Sequence, residues 1–152
     1  MIKKPLAFIA LLLVLLAGFA TAAHADDEHT QGLFVNLTTD DTWSASKAIF
    51  FAHQRALKAG HEPVAVWLNV RGIYLADRKR ASDVHGPMAE QGASIQDMLR
   101  AFIEDGGRVI ACAACARAAG LAPADFIEGV EMGDPELVLG LVFDPNVKTL
   151  TW

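Results

Sequence analysis

Residues 108–120 read RVIACAACARAAG, and this stretch decides the fold. The run from Arg108 to Ala111 is short and mostly apolar, which predicts a buried strand. The alanine-rich run from Cys112 to Ala119 then favours a helix, which Gly120 would end. A buried strand that leads directly into a helix is typical of α/β proteins with a parallel sheet.

Four more strands are predicted, two before this stretch and two after it. Residues 32–38 are apolar and rich in β-forming side chains, and residues 63–70 have the same character. Shorter strands are predicted near Val130 and at residues 147–152. Because the strands alternate with helices, we expect parallel pairing through right-handed crossovers. The sequence thus predicts one α/β domain of three layers, in which helices cover both faces of a mainly parallel five-stranded sheet.

The helical segments are predicted from apolar spacing and from their end signals. Apolar residues recur every three or four positions from Trp43 to Ala59, which predicts one helix ended by Gly60. Ser94 is the expected N-cap of a helix that runs to about Asp105. The other predicted segments are a short helix with an exposed loop in residues 71–93, a brief helix at 124–127 and a helix at 135–143.

The N-terminus has the layout of a secretory signal. Lys3 and Lys4 precede an apolar stretch, and the sequence Ala-His-Ala at residues 23–25 is followed by two aspartates. We expect cleavage after Ala25, which leaves an exported, periplasmic domain of residues 26–152. A retained membrane anchor is the alternative, but this apolar stretch is shorter than most membrane spans.

Composition excludes some classes of function. The chain has 18 acidic and 13 basic residues, and the predicted signal contains two of the basic ones and no acidic one. The mature domain would therefore be even more acidic than the full chain, which argues against a nucleic-acid partner. We also expect no membrane association after cleavage of the signal.

The chain has two cysteines, Cys112 and Cys115, separated by two alanines. Cys112 is predicted at the carboxyl end of a strand and the start of a helix, where backbone N–H groups favour a thiolate. Cys115 lies one helical turn later, close enough to form a disulfide with Cys112 in an oxidising compartment. We take both as the candidate catalytic residues. The alternative is that they are buried cysteines that pack as small apolar side chains.

Four polar residues are expected at the same edge of the sheet as Cys112. Thr38, Thr39 and Asp40 lie at the end of the first predicted strand, and Asn69 ends the second. They are candidates for lining a crevice beside the cysteines, although capping of the next helix is the commoner role for the first three.

Metal and cofactor sites are not predicted. His85 and Met88 have side chains that suit copper, but nothing in the sequence brings their loop to the cysteines. The pair lacks the additional ligands of a structural zinc site. The glycine pair at residues 106–107 lacks the remaining residues of a phosphate-binding loop.

The segment VIACAACARAAGL at residues 109–121 resembles the strand, cysteine, helix and glycine segment of the DsrE/DsrF-like family, which includes YchN-like proteins. Asn36 and Thr38 in the first strand, the end of the second strand and the terminal strand at Trp152 are similar too. The resemblance implies a flavodoxin-like domain that forms homotrimers or homohexamers. It also implies that Cys112 corresponds to a cysteine that carries sulfane sulfur as a persulfide.

The sequence leaves three functions open. The first is a periplasmic carrier of sulfane sulfur, with Cys112 as the acceptor thiolate, Cys115 as the second thiol, and proteins or small thiols as donor and acceptor. The second is a thiol-disulfide oxidoreductase, for which the same Cys-x-x-Cys spacing is typical. The third is an oligomeric binding protein with no catalytic activity. An enzyme, if this is one, would at most be a sulfur transferase or a thiol-disulfide exchanger.

Overall fold

The computed structural model describes residues 31–84, 86–91 and 94–152. Within them, five strands form a single sheet in the order β4-β3-β2-β1-β5. All four pairs of neighbouring strands are parallel. The strands are β1 (Gly32–Leu37), β2 (Val64–Leu68), β3 (Arg108–Cys112), β4 (Val130–Gly133) and β5 (Val147–Thr151). The predicted parallel sheet is confirmed, and it is wholly parallel.

Four α-helices connect these strands, together with shorter helical turns. They are α1 (Thr42–Phe50), α2 (Ile95–Glu104), α3 (Ala113–Ala118) and α4 (Pro135–Val142). The predicted capping at Ser94 is present, because the Ser94 hydroxyl accepts from the N–H of Asp97 and the Asp97 carboxylate accepts from the N–H of Ser94. Residues 123–125 form a 3-10 turn where a brief helix was expected.

The two faces of the sheet are covered unequally. Inward side chains of α1 and α2, among them Ile49 and Leu99, pack with Val35 and Val66 in the larger core. The smaller core on the opposite face contains Phe34, Ala65, Ile110, Leu141 and Val147, with α4 as its helical cover. Chain order explains this, since β1 to β4 advance in one direction across the sheet and only the crossover to β5 reverses it.

The helical segment predicted over residues 43–59 is present, but it is not one regular α-helix. The helix continues from α1 as a π-helical segment at Phe51–Ala56 and a 3-10 turn at Leu57–Ala59. The wider turn keeps Ala52 and His53 buried, and Gly60 ends the segment in the left-handed conformation. His53 Nε2 lies 2.5 Å from Asp105 Oδ2, which ties this segment to the end of α2.

Residues 70–91 also differ from the prediction of one short helix and a loop. A 3-10 segment at Val70–Ala76 buries Ile73 and Leu75, and a second at Gly86–Gln91 follows later. The intervening chain contains isolated bridges to Phe126 and Ser94.

The predicted signal peptide at residues 1–25 and its cleavage site lie outside the described residues. None of the helices in the described part of the chain has the length and apolar character to cross a bilayer.

Candidate functional site

Cys112 and Cys115 lie together at the carboxyl end of the sheet. Cys112 is the last residue of β3, and Cys115 is the third residue of α3. Their Cα atoms are 5.3 Å apart, and their sulfurs form a disulfide. Both residues are partly buried. The sequence thus folds into a two-sulfur centre at the edge where ligands bind in open α/β sheets.

The Cys112 sulfur faces a hydrogen-bond donor. The backbone N–H of Cys115 donates to Cys112 Sγ at 3.2 Å, so Cys112 acts as the N-cap of α3. The helix begins at Ala113, one residue later than predicted, and contains only six residues. Local stabilisation of negative charge on this sulfur therefore comes mainly from a single N–H group, since a helix this short has a small dipole.

The Cys115 sulfur faces a hydrogen-bond acceptor. Asn69 Oδ1 lies 3.2 Å from Cys115 Sγ and also accepts from the N–H of Val70 at 2.8 Å. Asn69 Nδ2 donates to Asn36 Oδ1 at 3.3 Å, and Asn36 Nδ2 lies 3.5 Å from the Thr151 hydroxyl. Polar side chains from the ends of β5, β1 and β2 therefore form a chain of contacts that ends at Cys115.

The two cysteines line different clefts. The cleft that we call the Cys112 cleft has a volume of about 430 Å³ and is lined chiefly by apolar side chains, with Arg117 and Asp134 as its charged residues. Its walls are the ends of β2 and β4, the start of α3 and the first turns of α4. The uncharged lining residues besides Cys112 are Trp67, Ala113, Ala114, Gly133, Pro135, Val138 and Leu139. The cleft beside Cys112 is therefore mostly apolar.

The second cleft, which we call the Cys115 cleft, lies on the other side of α3. Its volume is about 340 Å³, and its lining includes Val70, Arg71, Tyr74, Cys115 and Ala118. Val70 is exposed and has a φ of 50°, a strained conformation for a β-branched residue. Cys112 and Cys115 therefore line two separate cavities, one on each side of α3.

A charged cluster borders the Cys115 cleft. Asp40 accepts two hydrogen bonds from Arg71, at 2.9 and 2.7 Å, and one from Arg80 at 2.7 Å. The hydrogen bonds from the Arg71 guanidinium are the main reason that the pKa of Asp40 is below its usual value, and Arg80 lowers it further. Both guanidinium groups also lie over the ring of Tyr74.

The four residues predicted to line a crevice beside the cysteines have different hydrogen-bond partners. Asn69 contacts Cys115, whereas the Thr38 hydroxyl donates to the carbonyl of Trp152 and Asp40 binds Arg71 and Arg80. Capping of α1, which was the preferred role for the residues after β1, falls to Asp41, whose Oδ1 accepts from the N–H of Ser44. Thr39 instead accepts from the N–H of Asp41. The expected capping role was therefore wrong for Thr38, Thr39 and Asp40.

Sequence reasoning missed the walls of the Cys112 cleft. Trp67 points to the α4 side of the sheet, where it packs with Phe34, and Leu139 of α4 is half exposed at the cleft. Because successive side chains of a strand point to opposite faces, the sequence could have predicted that Trp67 lies on the face opposite Val66. The position of Leu139 depends on the β4-to-β5 crossover, so only the strand order reveals it.

Neither the copper site nor the zinc site gains support from the described residues. These residues contain no group of three or more histidine, cysteine, aspartate or glutamate side chains arranged to hold a metal. His85, which would supply the imidazole of the copper site considered above, lies outside the described residues. Met88 packs against the larger core.

Comparisons with known proteins identify the fold and the family. The crystal structure of the ychN protein from E. coli matches with a TM-score of 0.61 over 80% of this chain and 99% of that chain. The sequence identity is 20%, so this likeness shows the fold alone. An uncharacterised protein of Methanopyrus kandleri is 35% identical over 77 residues, which is 51% of this chain and 57% of that protein. The chain thus spans just over half the length of that curated relative.

The expected fold class is confirmed by this likeness and by the parallel five-stranded sheet. The family assignment comes from the sequence itself. Residues 17–142, most of the chain, match the family described as DsrE/DsrF-like. The chain belongs to the DsrE/DsrF-like family.

Proposed function

We propose that this protein carries or exchanges sulfane sulfur through a persulfide on Cys112, with Cys115 as the second thiol. The observation that carries the proposal is the placement of two bonded sulfurs at the carboxyl end of β3, where Cys112 lines an apolar cleft. The hydrogen bond from the N–H of Cys115 favours a thiolate on Cys112, and the thiolate is the reactive form of cysteine. Family membership supports the same chemistry.

The loading step requires the reduced pair. The Cys112 thiolate attacks the outer sulfur of a persulfide donor, the donor's S–S bond breaks, and the donor leaves as a thiolate. One sulfur atom is thereby transferred, and the Cys112 side chain ends as a persulfide.

Two fates are available to the loaded sulfur. An acceptor thiolate can attack the outer sulfur and regenerate the Cys112 thiolate, which completes a transfer. Alternatively, the Cys115 sulfur attacks Cys112 Sγ, the bond to the outer sulfur breaks, and that sulfur leaves as hydrosulfide with its electron pair. The second route oxidises the two cysteines to a disulfide and reduces the sulfane sulfur, so a dithiol reductant must then reopen the bridge.

The direct test is mass spectrometry of the reduced protein after exposure to a small persulfide donor. We expect an increase of about 32 Da, the mass of one sulfur atom, on the peptide that contains Cys112. Cys115→Ser should load and retain this sulfur longer than the native protein, because the internal displacement is removed. Cys112→Ser is the matched control and should not load at the remaining cysteine to the same extent.

The absence of an adduct on fully reduced protein would contradict the carrier function. If Cys112→Ser also caused no loss of phenotype, the third hypothesis, an oligomeric binding protein without catalysis, would be favoured.

Thiol-disulfide exchange is the second candidate, and the Cys112–Cys115 bridge favours it. Measurement of the reduction potential separates a labile bridge from a structural one. A value of about −270 mV or higher would indicate an exchanger, whereas values below about −300 mV are typical of structural disulfides.

Export and self-association are also part of the proposal. A periplasmic location rests on the signal-like N-terminus, and cell fractionation with N-terminal sequencing of the mature protein tests cleavage after Ala25. Homotrimers or homohexamers are proposed from the family resemblance. The exposed side chains of Trp43 and Phe143, 68% and 78% accessible, support an interface, and light scattering of the mature protein measures the oligomer size.

A further inference from the structure

Asn69 contacts the Cys115 sulfur through its side-chain oxygen, which is a hydrogen-bond acceptor. Its Oδ1 accepts from the N–H of Val70 at 2.8 Å and lies 3.2 Å from Cys115 Sγ. The assignment of amide oxygen and nitrogen is often ambiguous in protein structures. Here the chemistry fixes it, because a backbone N–H can only donate, so the Asn69 atom that faces both Val70 and Cys115 must be the oxygen.

The other end of the amide is fixed as well. Asn69 Nδ2 donates to Asn36 Oδ1 at 3.3 Å, and Asn36 belongs to β1, the neighbouring strand. Asn69 is also the N-cap of the 3-10 segment Val70–Ala76. The side chain is therefore held from two sides, with its oxygen directed at Cys115.

The two sulfurs of the bridge thus have opposite surroundings, and we infer the charge of each reduced cysteine from them. Cys112 Sγ accepts from an N–H group, which favours the charged thiolate. Cys115 Sγ faces an amide oxygen, which accepts from a protonated thiol but is unfavourable beside a thiolate. The cation that lines the same cleft, Arg71, is paired with Asp40, which offsets its charge. Sequence spacing alone does not distinguish the two cysteines in this way.

We propose that Asn69 is a positioning residue that keeps Cys115 as a protonated thiol, so that Cys112 is the nucleophile of the reduced pair. This inference deepens the proposed function and rests on it for its biological meaning. In the loaded state, the same contact slows the attack of Cys115 on Cys112, so the persulfide persists until an acceptor arrives.

The test measures alkylation by iodoacetamide at neutral pH in two single-cysteine backgrounds, which removes disulfide formation. Cys112→Ser retains Cys115, and serine remains a good N-cap for α3. Cys115→Ser retains Cys112. In the first background, Asn69→Leu should speed alkylation of Cys115 about tenfold, which corresponds to about 1.4 kcal/mol. In the second background, Asn69→Leu should change the Cys112 rate by less than about twofold, because Cys112 Sγ has a different hydrogen-bond partner.

Asn69→Asp is the conservative variant that separates chemistry from shape. It retains an acceptor oxygen for Val70 and Cys115, so Cys115 should stay as slow as in the native protein. Asn69→Ala gives a second variant without the acceptor if Asn69→Leu does not fold. Thiolate absorbance in the ultraviolet provides a spectroscopic check, since it should rise for Cys115 only in the variants without the acceptor.

These outcomes decide the inference independently of sulfur transfer. An unchanged Cys115 rate in Asn69→Leu and Asn69→Ala would overturn it, as would an equal increase at both cysteines, which indicates general opening of the site. A fast Cys115 in Asn69→Asp would also overturn it. A protein that forms no persulfide but shows the expected alkylation pattern would refute the proposed function and leave the role of Asn69 established.

Discussion

Arg71 binds both carboxylate oxygens of Asp40, with Nε 2.9 Å from Oδ1 and Nη2 2.7 Å from Oδ2. Asp40 follows β1, and Arg71 lies in the 3-10 segment after β2, so the pair joins the ends of two neighbouring strands. This paired geometry is the strongest common arrangement for arginine and a carboxylate. Because Arg71 also lines the Cys115 cleft, the pair fixes one wall of the site.

Asp40→Asn should destabilise the protein by about 1 kcal/mol, since it removes a charge that accepts from two guanidinium groups that are themselves largely exposed. Urea unfolding at neutral pH measures the change. Asp83→Asn is the matched control, because Asp83 is exposed and forms no side-chain ion pair among the described residues.

The effect of Asp40→Asn should depend on pH. The pKa of Asp40 is lowered in the folded protein from a usual value of 3.8, so its contribution to stability is present above that value and is lost as the pH falls through the lower folded pKa. The difference in unfolding free energy between native protein and variant should be constant near neutral pH and shrink below about pH 4. A difference that grows on acidification would contradict this account.

Gly72→Ala should destabilise the protein by about 1 to 3 kcal/mol, the usual range for an overpacked core position. A Cβ at residue 72 would overlap the backbone carbonyl of Leu37, and a backbone atom has little room to move. Gly140→Ala in α4 is the matched control. Nothing lies within 4 Å of its added Cβ, and alanine in a helix is favoured by about 0.5 to 1 kcal/mol. Thermal unfolding should therefore shift in opposite directions for the two variants.

Periodicity and end signals sufficed to predict the strands and their parallel pairing. The run from Arg108 to Cys112 forms β3, and Ser94 caps α2, because local sequence determines both features. The helical segment predicted up to Ala59 is present, but it departs from regular α-helical geometry after Phe50. Its turns widen where buried His53 reaches Asp105, a residue 52 positions away that apolar spacing does not reveal.

The site was predictable only in part for the same physical reason. The spacing of Cys112 and Cys115 indicates a pair that can approach, and the end of β3 indicates where it lies. The contact between Asn69 and Cys115 depends on β2 and β3 being neighbours, and the binding of Asp40 by Arg71 depends on β1 and β2. Such long-range partners follow from strand order, which the sequence pattern leaves open.

The two clefts give a last prediction about access to the sulfurs. Ala114 and Ala118 are both exposed residues of α3, one turn apart, but Ala114 lines the Cys112 cleft and Ala118 lines the Cys115 cleft. In the Cys115→Ser background, Ala114→Phe should slow the reaction of Cys112 with a bulky aromatic disulfide about tenfold, because the added ring occupies the cleft that the reagent must enter. Iodoacetamide, which is small, should react at nearly the native rate. Ala118→Phe places the same ring at the other cleft and should leave both rates of Cys112 unchanged. Equal slowing by the two variants would mean that Cys112 is reached from both sides of α3. If Ala114→Phe slowed the reaction of Cys112 with both reagents, the substitution would have changed the environment of the sulfur and not blocked the cleft.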